Sequence, residues 1–152
     1  MKTTFRMVVM FLIGFCSYIT IEVLYRGFSY PLMGCMGGIV FILIDQINEI
    51  YSWDIELLWQ SVLGGIYATA LEFVFGLVDR YVLYQHMWDY SHEFGNVLGI
   101  ICVKFSIYWC FLALLAVFVA DFVNYCMYRH SQIPYYIIAG RKWEPGIYKI
   151  LD

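Results

Sequence analysis

Charge is scarce in this chain. Of its 152 residues only 14% are Asp, Glu, Lys or Arg, against about a quarter in an ordinary soluble domain. Too little polar surface is therefore available to cover the apolar mass, and a soluble fold is excluded. Basic residues number only nine, the net charge is −3 and no basic stripe occurs, which argues against nucleic-acid binding. Prolines number three, so long apolar runs go unbroken. Cysteine is present five times, an odd number, with no Cys-x-x-Cys pair; a disulfide framework and a zinc ribbon are both unsupported, and the thiols read as small packing residues. The chain has no glycine-rich phosphate loop, no nucleophile motif, no metal-ligand spacing and no internal repeat. No cofactor is expected.

What is abundant is apolar side chain: 62% of all residues are apolar and 20% of all residues are aromatic, with a mean hydropathy of +0.71. Such a composition also excludes disorder. A helix needs about 20 mostly apolar residues to cross the hydrocarbon layer, and four stretches qualify, about 7–25, 30–47, 57–79 and 97–123. They are continuously apolar, whereas barrel strands alternate. The first run follows Lys2 and Arg6, as a signal peptide would. It is long, lacks an Ala-x-Ala-like site and leads directly into the second run, so it reads as a span. The expected fold is an all-α integral membrane protein. Residues 1–124 form a compact four-helix bundle, and 125–152 form a short tail along the cytoplasmic interface, where Pro134, Gly140 and Pro145 prevent a long helix.

Orientation follows the placement of Lys and Arg. Lys2, Arg6, Arg129, Arg141, Lys142 and Lys149 fall on the side of the termini, while the opposite loops carry only Arg26 and Arg80. Both termini are expected in the cytoplasm and the protein in the plasma membrane. Helices associate in lipid through small residues and polar contacts. Gly34 and Gly38 in the second span, Ser61, Gly65, Ala68 and Thr69 in the third, and Gly99, Cys102, Ser106, Cys110 and Ala113 in the fourth are the expected contact faces. The histidines, His86, His92 and His130, fall in loops or at span ends.

Charges inside apolar runs are costly unless paired, neutralised or hydrated. Glu72 lies seven residues beyond Gly65, nearly two helical turns, and so on the small-residue face; Asp79 continues that stripe. At a rise of 1.5 Å per residue, Glu72 sits roughly 10 Å below the outer surface, and Lys104 is placed at a similar depth. Glu22 and Arg26 stand at i and i+4, a pairing distance. Trp88, Asp89, Tyr90, Ser91 and Asn96 lie in the loop above. Glu22, Arg26, Glu72, Asp89 and Asn96 are thus the candidate residues for binding a solute or ion. Five acids (Glu22, Glu72, Asp79, Asp89, Glu93) against Arg26, Arg80 and Lys104 favour a proton, cation or zwitterion over a bare anion. A bland reading stands beside each: an edge ion pair for Glu22 and Arg26, a snorkelling Lys104, interfacial Trp88 and Tyr90, and a structural hydrogen bond for Glu72.

At these residues the chain resembles a known family. Glu22 to Pro31 reads Glu-Val-Leu-Tyr-Arg-Gly-Phe-Ser-Tyr-Pro; Leu71-Glu72-Phe73 follows; then come Trp88-Asp89-Tyr90-Ser91, Phe94, Asn96, Gly99, Ile101-Cys102, Phe105-Ser106 and Trp109. This order is similar to that of the small bacterial membrane proteins labelled putative ABC-transporter type IV, or CmpB-like. The resemblance implies a permease-like membrane protein, although the chain has no Walker motif and is not an ATPase subunit. Two other functions stay open: a non-transporting membrane partner or regulatory subunit, and an intramembrane enzyme acting on a lipid, the latter without a catalytic pair at diagnostic spacing. The expected partners are the lipid bilayer and either further copies of the chain or a membrane subunit.

Overall fold

The computed structural model describes residues 2–128 and 133–148; Arg129, His130 and Lys149, named above, lie outside them. An apolar segment in lipid must satisfy its backbone hydrogen bonds internally, and the helix is the local way to do so. Among the described residues, four helical stretches long and apolar enough to cross a membrane result. Helix α1 spans Lys2–Arg26 and ends where Gly27, at φ 84°, turns the chain and its amide closes on the Val23 carbonyl at 2.8 Å. Pro31 opens α2, Pro31–Asp45, where its missing N–H costs nothing. A single turn, α3 (Ile47–Ile50), extends that span. Helix α4, Leu57–Val78, continues into a π-helical turn, Asp79–Leu83, stopped by Tyr84 at φ 54°. Helix α5 is Val103–Met127.

The fourth helix begins later than the apolar run suggests. Residues 97–102 are not helical: Gly95, Leu98 and Gly99 all have positive φ, and Val97 N–H bonds to the Ile101 carbonyl at 2.9 Å in a tight reversal. Two consequences correct the sequence reading. Gly99 and Cys102 are not on a helical contact face. Lys104 is in the first turn of α5, exposed and paired with Glu93 at 2.9 Å, not at the depth of Glu72.

Helix α1 packs on α2, α5 packs on α4, and α2 joins the two pairs. Small residues set these approaches, as expected, with Gly14 and Gly64 added to the expected faces. A β-carbon on Gly14 would stand 2.5 Å from the Gly37 carbonyl oxygen, and one on Gly38 would meet Phe11 at 2.6 Å. Between α4 and α5, Gly64 faces Ala113, Gly65 faces Cys110, and Ser61 Oγ donates to the Cys110 carbonyl at 2.7 Å. The described part of the tail holds a hairpin, β1 (Tyr136–Ile138) and β2 (Arg141–Trp143), joined through Ala139 and Gly140, both at positive φ as a type I′ turn requires. Tyr136 is fully buried against the α4–α5 core beside Phe118. The hairpin is anchored to the start of α4 by the Gly140 amide, which donates to Glu56 Oε1 at 3.0 Å.

Candidate functional site

Two polar clusters occupy opposite ends of the bundle. At the loop end, four elements converge. On α1, Glu22 Oε2 and Arg26 Nε are 2.5 Å apart. Arg26 also donates to the Met87 carbonyl at 2.8 Å, meets Met33 Sδ at 2.6 Å, and lies 4.8 Å over the Phe28 ring. On α4, Glu72 is 1% exposed. Its two oxygens each accept one bond at 3.0 Å, Oε1 from the Tyr90 hydroxyl and Oε2 from Trp109 Nε1. Glu72 therefore ties α4 to α5 and to the loop together. Tyr18, one turn before Glu22, stacks on Trp109 at 5.5 Å and lies within electrostatic range of both acids.

The loop is built to enter this end of the bundle. Asp79 is buried and accepts the Met87 amide at 2.6 Å. Met87 and Trp88 then pack with Tyr18, Met33 and Met36, so Trp88 is a core side chain rather than an interfacial one. Tyr90 stacks on Phe105 at 4.5 Å. Burial, and next the Glu72 carboxylate, hold the Tyr90 phenol above its usual range, which keeps it a donor. The structure thus pairs Glu22 with Arg26 and sets Glu22 of that pair within electrostatic range of Glu72, whose own hydrogen bonds go to Tyr90 and Trp109. Asp89 and Asn96 stand apart, exposed in the loop. Asp89 accepts from the Ser91 hydroxyl at 2.6 Å and the Ser91 amide at 3.1 Å, and these donors hold its carboxyl below the ordinary range. Asn96 donates to the Glu93 and Ser91 carbonyls and accepts the Gly99 amide at 3.1 Å. Both residues shape the loop at this end of the bundle, where Glu72 is buried and Glu22 and Arg26 are partly exposed. Tyr18 is a member of the cluster that sequence reasoning missed, its signal being the i, i+4 spacing to Glu22 on one helix face; Trp109 was named only for the family resemblance and not as a site residue.

The second cluster, at the end where α1 starts and α5 finishes, was also missed. Asp45 accepts Arg6 Nε at 3.0 Å, Gln46 Nε2 at 2.8 Å and Asn124 Nδ2 at 2.6 Å. Arg6 reaches on to Glu49 at 3.5 Å, and Asn48 Nδ2 stands 3.5 Å from Asp121 Oδ1. A cavity of about 290 Å³ opens among Arg6, Asp45, Asn48, Asp121 and Asn124. Asp121, an acid inside the fourth apolar run with an amide at i+3, was the available signal. Between the two clusters lies an apolar cavity of about 220 Å³, lined by Gly14, Gly37, Gly64, Ala68, Trp109 and Ala113 among others.

Residues 4–140 match the family model described as Putative ABC-transporter type IV. No curated protein and no solved structure matches the chain.

Proposed function

The chain belongs to the Putative ABC-transporter type IV family, and from that premise we propose that it is a permease-like membrane protein handling a proton or small cation at its loop-end cluster. One observation carries this reading. Glu72 is fully buried and is bonded at once to the 84–102 loop through Tyr90 and to α5 through Trp109. With Glu22, Arg26 and Glu72 ionised the trio has one negative charge in excess, so a proton or cation completes it. Protonating Glu72 removes an acceptor from a group that holds the loop, which couples occupancy to loop attachment. Asp89 and Asn96 serve the site as organisers of its cover. The two polar ends are separated by an apolar middle, so movement across the membrane requires an assembly, of several copies or with a partner subunit. The excess of basic residues near the termini supports a plasma-membrane orientation with both termini cytoplasmic.

Reconstituted into vesicles carrying an internal pH dye or a cation-sensitive dye, the wild-type protein should support flux. Glu72→Gln should reduce it by about tenfold or more, as expected for loss of a proton-transfer group, while the protein stays folded. Flux unchanged in a folded Glu72→Gln protein overturns the proposal. The second reading, a non-transporting subunit, is favoured by the full satisfaction of both Glu72 oxygens within the chain. It expects no flux from wild type, a lower unfolding temperature for Glu72→Gln, and a stable membrane partner on pull-down.

A further inference from the structure

At the terminal end, one carboxylate lacks what its neighbours have. Arg6 is engaged by Asp45 and Glu49, and the remaining oxygen of Asp45 is taken by Asn124. Asp121 is 7% exposed. Its Oδ1 meets only the Asn48 amide, at the long distance of 3.5 Å. Its Oδ2 makes no hydrogen bond of good geometry among the described residues; the Tyr136 hydroxyl, itself without such a bond, is the one donor close to this carboxylate beside Asn48 among them. A buried carboxylate with one long amide contact and no cation in ion-pair contact among the described residues is costly.

Two more oxygens beside it are equally without partners among the described residues, Asn48 Oδ1 and Asn124 Oδ1. Asp121 and Asn124 share a face of α5 at i and i+3, and the Asn48–Asp121 contact places α3 against them. All three residues line the 290 Å³ cavity. Among the described lining residues Arg6 pairs with Asp45 and with the exposed Glu49, and no basic side chain pairs with Asp121.

We propose that this cavity binds a small monovalent cation, an alkali metal ion or ammonium, through the oxygens of Asp121, Asn48 and Asn124. Oxygen-only donors select a hard cation or an N–H donor rather than a soft metal. Divalent sites draw on several carboxylates, and no group of three or more His, Cys, Asp or Glu among the described residues is placed to hold a metal. One uncompensated carboxylate with two neutral amide oxygens matches a single positive charge. The volume leaves room for the ion to keep part of its water, each water occupying about 30 Å³. The site is independent of the loop-end cluster and of what that cluster does.

The test is thermal unfolding of the full chain in detergent at constant ionic strength, with choline chloride replaced stepwise by sodium, potassium or ammonium chloride. At least one of the three small cations should raise the unfolding temperature saturably where choline does not, and the order of the three identifies the ion. Asp121→Asn and Asn124→Ala should each weaken the apparent affinity about tenfold or more, the size expected for losing a charged hydrogen-bond or ligand contact. If Asp121→Asn does not fold, Asn48→Ala, which leaves every charge in place, carries the same expectation. Identical unfolding temperatures in all four salts overturn the proposal and leave Asp121 as a neutral acid. So does a saturable shift that persists undiminished in the variants. Glu72→Gln should keep the cation shift, which separates this site from the loop-end reading.

Discussion

Asp45 and Glu93 illustrate how differently two ion pairs in one small protein are set. The Asp45 side chain is fully buried and serves three donor residues, Arg6, Gln46 and Asn124. The Lys104–Glu93 pair is exposed on both sides, 44% and 34%. Removing one partner of a buried pair strands the other, a loss of several kcal/mol, whereas an exposed pair contributes less than about 1 kcal/mol. Asp45→Asn should therefore lower stability by about 2–4 kcal/mol, since Arg6 retains Glu49 and some solvent. Glu93→Ala should change it by less than about 1 kcal/mol. Reversible unfolding in mixed micelles measures both, and equal effects would show that Asp45 is not the keystone of its cluster. Both residues are plain acids in the sequence; only burial distinguishes them.

At the scale of elements, the bundle is held by close backbone approach where α1 crosses α2. Gly14 is the tightest point, with the Gly37 carbonyl and Phe41 Cβ both 2.5 Å from where its β-carbon would stand. Backbone cannot move aside as a flexible side chain can, so Gly14→Leu should separate the two helices. The expected loss is about 3 kcal/mol or more, at the upper end of overpacking effects. Gly146→Ala meets nothing within 4 Å and has no positive φ; it should stay within about 0.5 kcal/mol of wild type. Unfolding of the pair in detergent distinguishes them. The Gly34–Gly38 stripe was legible because spacing of four residues aligns glycines on one face. Gly14, a single glycine with no second glycine at the four-residue spacing and only Ser17 three residues on, carried a weaker signal. The late start of α5 was hidden for another reason. Residues 97–102 are as apolar as a span, and what stops the helix is backbone conformation at Gly95, Leu98 and Gly99, which hydropathy does not register.

Across the whole molecule, four alternating spans bring the start of α1 and the end of α5 to one end, where Arg6 meets Asp45 and Asn48 meets Asp121. Residues 84–102 cover the other. In a cysteine-free background inside intact cells, single cysteines replacing Thr3 and Glu144 should therefore react with a membrane-impermeant maleimide from the same side, and one replacing Glu93 from the opposite side. If the termini are cytoplasmic, only the Glu93 position reacts before lysis. Labelling of Thr3 and Glu93 positions from one side would overturn the four-span topology. Four spans, their alternation and the need to hide Glu72 were determined by the sequence alone, because the hydrocarbon layer admits few solutions for long apolar runs and none for a bare charge. Which donors satisfy that charge, the insertion of Trp88 and Tyr90 into the bundle, and the gathering of Arg6, Asp45 and Asp121 from three separate helices were decided only by tertiary structure. These contacts join residues 18 to 79 positions apart, and no local spacing records which distant side chains a packed bundle will bring within 3 Å.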